Sequence, residues 1–281
     1  MRISFIIPQN NFLKDLVPYL NDLGHIILWN DVTPQTDVMI VWSNSQLNLA
    51  KRLHDQCPDV PVVNYCWDVY EWTRTNPRGY DWDAYGQFMH EGIETWTPSE
   101  SVNRRLIEYY NLKSYYIIKT FARFFEPPVK VEDKRFIINV MRSQPDRNLG
   151  MFEKAVAELG IPSFTPNHGW SEAEFQEKLS TCSFLVCPYY EASTGGLTLL
   201  EAYNLGKPVL VSNSPYMGAR DYFGDKAEYF DYAYIADLKK QLRKMWNFPR
   251  KLDKIKCREF CNQFTPQVMA KAIHNRLKEI L

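Results

Sequence analysis

Short apolar runs alternate with amphipathic stretches along the whole chain. Residues 3–7, 25–29, 37–42, 61–65 and 93–97 are mostly apolar, the pattern of strands covered on both faces. Between several of them the apolar positions fall at helical spacing, as over 11–23 and 45–56. Ser99 stands where it would cap a further helix, and residues 115–119 close the series as a strand. The run Arg123-Phe124-Phe125-Glu126-Pro127-Pro128-Val129-Lys130 then breaks the rhythm, because paired prolines remove backbone donors and forbid helix. The alternation restarts with a strand over 135–140, a helix over 147–159 and a strand near Ile161. A helix opened by Ser171 with acids in its first turn follows, then a strand over 183–188. A helix over 196–205, a strand over 208–212 and several C-terminal helices complete the pattern. Such alternation predicts an α/β protein of two units, each a parallel sheet with helices on its faces. Two units joined by a linker leave a cleft, and ligands in such folds sit outside the carboxyl ends of the strands.

Composition narrows the class without choosing a chemistry. The chain is 45% hydrophobic and 23% charged, so it buries a core and is neither disordered nor fibrous. At 281 residues it suits about two domains. No apolar run reaches the roughly 20 residues of a transmembrane helix. The apolar part of the N-terminus is too short for a signal-peptide core, and six cysteines without a C-x-x-C pair form no disulfide framework. A reduced, cytoplasmic protein is expected. Charge is balanced, with 33 basic and 33 acidic side chains, which argues against a nucleic-acid partner. Residues 239–281 depart from that balance, with 12 Lys and Arg against 3 Asp and Glu. That excess reads either as a solvated helical face or as peripheral attraction to an anionic inner membrane surface or acidic ligand.

Several motifs are missing. No G-x-G-x-x-G follows a strand and no P-loop occurs, so nucleotide-dependent redox and P-loop chemistry lose their main support. The five histidines are scattered, with no metal-ligand spacing. Asp81-Trp82-Asp83 has the D-x-D form that can hold a divalent metal on a nucleotide diphosphate. It lies in a loop-like aromatic stretch away from any clear strand end, and two acids flanking one residue arise easily by chance.

One segment carries chemistry. After the apolar run Ser183-Phe184-Leu185-Val186-Cys187-Pro188 come Tyr189-Tyr190-Glu191-Ala192-Ser193-Thr194-Gly195-Gly196 and then Leu197-Thr198-Leu199-Leu200-Glu201. A buried strand entering a Gly-containing turn that opens into a helix presents N–H groups and a positive dipole end to an anion. Glycine lets a phosphate approach the backbone closely. Glu201 falls five residues beyond Gly196, about one and a half turns along, where it could accept from a ribose diol. An ordinary βα turn with a solvated Glu has the same local pattern.

With its flanks, Glu201-Ala202-Tyr203-Asn204-Leu205-Gly206-Lys207-Pro208-Val209 resembles the donor-site signature of the GT-B glycosyltransferases, specifically the retaining glycosyltransferase family four. Asn139-Val140-Met141-Arg142 followed by Arg147-Asn148 resembles that family's strand-end Arg and a basic residue five positions on. Gly24-His25, Trp96-Thr97-Pro98-Ser99 and Phe264-Thr265-Pro266 match further landmarks. The resemblance implies an acceptor-side Rossmann-like domain at 1–123, a nucleotide-sugar domain at 124–264 and a last helix, 265–281, crossing back to the first. It implies that Glu201 binds the ribose and that backbone amides of Gly195, Gly196 and Leu197 hold the diphosphate. Arg142 and Arg147 would then stabilise the departing diphosphate, a role that fixed cations suit. No metal and no cofactor are implied beyond the donor, a UDP- or GDP-linked sugar, and the other partner is a carbohydrate-containing acceptor.

Three departures matter. The family spaces its two glutamates so that the first would fall on Ser193, whereas Glu191 lies two residues earlier. Either the turn bulges to bring Glu191 to the sugar, leaving Ser193 and Thr194 for the phosphate, or Ser193 or Thr194 makes that contact. The acid is favoured, because a carboxylate accepts from two hydroxyls. Pro8-Gln9-Asn10-Asn11 replaces a Gly-Gly loop, and Trp67-Asp68 replaces His-Asp, which passes acceptor contacts to Asp68 or a neighbour. Around it Tyr65, Trp67, Tyr70, Trp72, Tyr80, Trp82 and Tyr85 either pack a core or lid, or stack under an acceptor sugar. The expected activity is retaining sugar transfer to a glycan, lipid-linked or small-molecule acceptor. A non-catalytic nucleotide-sugar or glycan-binding module and a sugar-nucleotide epimerase remain open alternatives.

Overall fold

The computed structural model describes residues 1–7, 12–42, 46–66, 81–112, 115–126, 134–139, 148–166, 171–189, 196–215 and 218–281. The chain forms two compact units, Met1–Phe121 with Phe264–Leu281, and Ala122–Gln263. All strand pairings in both are parallel, as the alternation of strands and helices predicts.

The first unit holds β1 (Arg2–Ile6), β2 (Ile26–Trp29), β3 (Val38–Trp42), β4 (Val62–Tyr65), β5 (Glu94–Thr97) and β6 (Tyr115–Ile117), in the order β2-β1-β3-β4-β5-β6. Every residue of β3, β4 and β5 is buried, so their apolar runs need no alternation. Its helices are α1 (Val17–Asp22), α2 (Leu47–Gln56), α3 (Trp82–Glu91) and α4 (Glu100–Tyr110). The single helix expected over 11–23 is instead a 3-10 turn, Phe12–Leu16, followed by α1. Pro18 is the reason: without an N–H it fits only the first turn of a helix, so the α-helix has to start beside it. Helix α4 begins as expected, with the Ser99 hydroxyl accepting from the Val102 N–H.

The second unit holds β7 (Ile137–Asn139), β8 (Ser163–Phe164), β9 (Phe184–Cys187), β10 (Val209–Ser212) and β11 (Glu228–Phe230), in the order β11-β10-β9-β7-β8. Its helices are α5 (Leu149–Leu159), α6 (Glu172–Thr181), α7 (Leu197–Asn204), α8 (Ala219–Phe223), α9 (Ile235–Asn247) and α10 (Lys254–Cys261). The Ser171 start is a full capping box, Ser171 and Glu174 satisfying each other's backbone N–H groups. Ile137, Phe152, Phe184, Val186, Leu210 and Leu238 share the core of this unit.

The last helix, α11 (Pro266–Ile280), belongs to the first unit. Thr265 caps it with Pro266 in its first turn, and Met269, Ile273 and Leu277 enter the core of Ile3, Phe5, Ile40 and Trp96. A buried polar clamp accompanies that packing. The Glu94 carboxylate, 3% exposed, accepts from Trp96 Nε1 at 2.8 Å and from Arg276 Nε at 2.8 Å. The Arg276 guanidinium also lies 4.4 Å from the Tyr116 ring centre, and Glu94 holds its pKa above the ordinary arginine value. None of the six cysteines is bridged, and among the described residues no helix is long and apolar enough to cross a membrane.

Candidate active site

Strand β9 sits between β10 and β7, fully buried, and its carboxyl end leads toward α7. Gly196 is the N-cap of α7 with φ +73°. A Cβ there would stand 3.0 Å from Leu199 Cδ1, so the position combines a positive φ with a tight contact that Leu199 would have to yield to. Leu199 N–H closes the turn onto the Gly196 carbonyl at 3.0 Å. The N–H groups of Leu197 and Thr198 precede any intrahelical acceptor, and both residues are partly exposed. The positive end of a helix thus opens beside the carboxyl ends of parallel strands, where an anion is favoured.

Glu201 follows on the same helix and is partly buried. Desolvation pushes its pKa up to about 7, the nearby Glu172 carboxylate pushes the same way, and the Arg123 guanidinium opposes both. An acid with a pKa raised this far is suited to accept hydrogen bonds from ligand hydroxyls, which stabilise its charged form. Glu172 and Arg123 were not among the residues singled out in the sequence. Glu172 reads there only as a first-turn acid of α6 and Arg123 as the start of a linker, so their convergence on Glu201 is a product of the tertiary fold.

Gly196, Leu197 and Glu201 therefore come together on one helix. Asp68, Arg142, Arg147, Glu191, Ser193, Thr194 and Gly195 lie outside the described residues, as do Pro8, Gln9, Asn10 and Asn11. Strand β7 ends at Asn139, whose buried amide has no hydrogen-bond partner among the described residues on either polar atom. Gly206, in the Gly-x-Pro part of the signature, has φ +75°, and a Cβ there would stand 2.7 Å from Lys254 Cγ.

The acidic tripeptide has a structural role. Asp81 is the N-cap of α3, its carboxylate accepting from the Ala84 N–H at 2.9 Å, and Asp83 stands in the first turn. The loop expected there is thus a helix start. Tyr65, Trp82 and Tyr85 are buried, Trp82 stacking on Tyr110 at 6.5 Å, so these three pack the interior and the sugar-stacking reading does not hold for them. Trp67, Tyr70, Trp72 and Tyr80 lie outside the described residues. Among the described residues, no group of three or more His, Cys, Asp and Glu side chains is placed to hold a metal ion.

These two parallel α/β sheets, with the final helix packed on the first, define the GT-B fold. Sucrose-phosphate synthase from Thermosynechococcus elongatus is similar over 100% of this chain and 99% of its own, with a TM-score of 0.82 and 12% identity. A glycosyltransferase from Rickettsia africae matches with a TM-score of 0.73 at 11% identity, over 99% of this chain and 98% of its own. HepE from Anabaena, solved in complex with UDP and glucose, matches with a TM-score of 0.74 at 11% identity, over 99% of this chain and 100% of its own. No protein-family model and no curated protein matches the sequence.

Proposed function

We propose that this protein is a glycosyltransferase that moves a sugar from a nucleotide diphosphate sugar, UDP- or GDP-linked, to a carbohydrate-containing, lipid-linked or small-molecule acceptor. The observation that carries the reading is the start of α7: Gly196 at a φ of +73°, two first-turn N–H groups, and Glu201 with its pKa raised to about 7 one and a half turns on. The N–H groups suit a diphosphate and the carboxylate, farther along the same helix, suits a ribose diol. Solved structures of the same fold include HepE in complex with UDP and with UDP-glucose, which supports a nucleotide sugar as the donor class here.

In this reading Arg142 and Arg147 face the diphosphate as it gains charge, so no metal is needed. Glu191 contacts the donor sugar while Ser193 and Thr194 serve the phosphate, and Asp68 lies on the acceptor side. Transfer proceeds with retention. The departing phosphate oxygen takes the acceptor hydroxyl proton on the same face as the new bond forms, so the protein contributes chiefly positioning and leaving-group stabilisation. The reaction is placed in the cytoplasm.

Incubation with a panel of nucleotide sugars, followed by release of free sugar and nucleoside diphosphate, tests the proposal. A transferase leaks sugar slowly to water. A pure binder releases nothing, and an epimerase returns the nucleotide linked to a different sugar; either result overturns the assignment.

A further inference from the structure

At the opposite end of the second sheet lies a groove of about 660 Å³, formed where the chain enters β7, β9 and β10 and where α9 ends. Its lining includes six cationic side chains, Lys134, Arg135, Lys207, Arg250, Lys251 and Lys254, and no carboxylate among the described residues. They come from three separate stretches of the sequence, 134–135, 207 and 250–254, so the fold gathers them. Lys207 is 7% exposed, built into the wall, while the other five are exposed. Two are fixed by packing: the Arg135 guanidinium lies 4.7 Å from the Trp246 ring centre, and the Lys254 stem lies against Gly206.

Among the described residues, the neighbouring negative charge falls short of six. The carboxyl ends of α7 and α9 open here and supply about half a unit each. Glu177 stands 3.7 Å from Lys134 and Glu228 stands 3.8 Å from Arg250, the latter also bridging Lys244 at 3.0 Å. Among the described residues the six lining cations therefore outnumber the carboxylates beside them, Glu177, Glu228 and Asp253, and like charges gathered in one concavity repel unless an anion joins them. We propose that this groove is a second anion site, separate from α7, that binds a phosphate group through Lys134, Arg135, Lys207, Arg250, Lys251 and Lys254. Arg offers paired donors and Lys mobile point charges, a combination suited to a phosphomonoester or diphosphate, whether free or on a lipid headgroup. The site does not depend on the glycosyltransferase reading.

Binding of two probes to the full chain tests it: inorganic pyrophosphate by calorimetry, and vesicles of phosphatidylcholine with 30% phosphatidic acid, a phosphomonoester lipid, by co-sedimentation, with pure phosphatidylcholine as reference. Wild type is compared with Arg250→Ala/Lys251→Ala/Lys254→Ala, and with Lys240→Ala/Lys271→Ala/Lys278→Ala, which removes equal charge from exposed positions outside the groove. Pyrophosphate held at α7 is common to all three proteins and cancels in the comparison. The groove variant is expected to bind at least one probe tenfold more weakly, while the second variant stays within twofold of wild type. Loss with pyrophosphate alone identifies a free phosphate ligand, loss with vesicles alone a lipid headgroup, and loss with both a phosphate recognised in either setting. Equal weakening in both variants, an unaffected groove variant, or no binding of either probe by wild type overturns the site. Donor hydrolysis, measured in parallel, is expected to be unchanged in the groove variant.

Discussion

Glu201 meets two opposing demands. Its pKa, raised from 4.5 to about 7, means that the folded chain without ligand is destabilised by charging it, at most by about 3 kcal/mol. The sign follows from the shift: the folded pKa is above the unfolded one, so stability is greatest below about 4.5 and falls as pH rises through about 7. The difference in unfolding free energy between Glu201→Gln and wild type, without ligand, is therefore expected to grow from pH 5 to pH 8 in favour of the variant. A flat difference, measured by denaturant titration across that range, would show that Glu201 is not desolvated. Affinity for a nucleotide sugar should follow the opposite course in wild type, rising toward pH 8 as the carboxylate forms. The donor's diphosphate is a diester and does not itself titrate there, so the slope reports the protein. At Gly196, substitution by Ala forces a side chain into a φ of +73° against Leu199, and a stability loss of about 1–2 kcal/mol is expected together with weaker nucleotide binding. The position of Glu201 was legible in the sequence through its place after Gly196. Its acidity was not, because Glu172 and Arg123 reach it from other elements.

Helix starts were the most legible elements. Ser99, Ser171 and Thr265 each place an oxygen one turn before an N–H that needs an acceptor, a purely local relation. Helix α3 was hidden because its cap is Asp81, within a tripeptide that also has the form of a metal ligand, and its turns carry aromatics resembling a loop surface. Strand β11 was hidden because three residues, Glu228 to Phe230, show too little periodicity. The cap assignment separates from the metal one by experiment. Asp81→Ala should cost about 1 kcal/mol of stability and leave sugar transfer intact, whereas a large loss of transfer without loss of fold would return the tripeptide to the chemistry. At α11 the clamp is the testable feature. Arg276→Ala leaves the Glu94 carboxylate buried without its cation, and a loss of about 3 kcal/mol in denaturant unfolding is expected. A loss below about 0.5 kcal/mol would mean that α11 is held by its apolar face alone.

For the whole molecule, the strand–helix alternation carried the two-sheet architecture almost unaided, since parallel strands covered on both faces read as apolar runs. The basic C-terminal segment was less legible. Lys244 and Arg258 pair with Glu228 and Glu126, and Arg276 with Glu94, while Arg250, Lys251 and Lys254 join residues from distant positions at the groove. A count along the sequence cannot separate those fates. If the diphosphate is neutralised by arginines and helix N–H groups, turnover should persist in EDTA, and a requirement restored by manganese would contradict that mechanism. The proposed activity requires that α7 hold a nucleotide sugar through Glu201. Thermal melting of wild type and Glu201→Gln at pH 8, with and without a panel of UDP- and GDP-sugars, tests it most directly, because a ligand of the native state raises the midpoint. One donor is expected to raise the wild-type midpoint by several degrees, and Glu201→Gln is expected to melt higher alone yet gain less, consistent with a binding loss of about 1.5–3 kcal/mol. An equal gain in both proteins, or no gain in wild type with any donor, would contradict it.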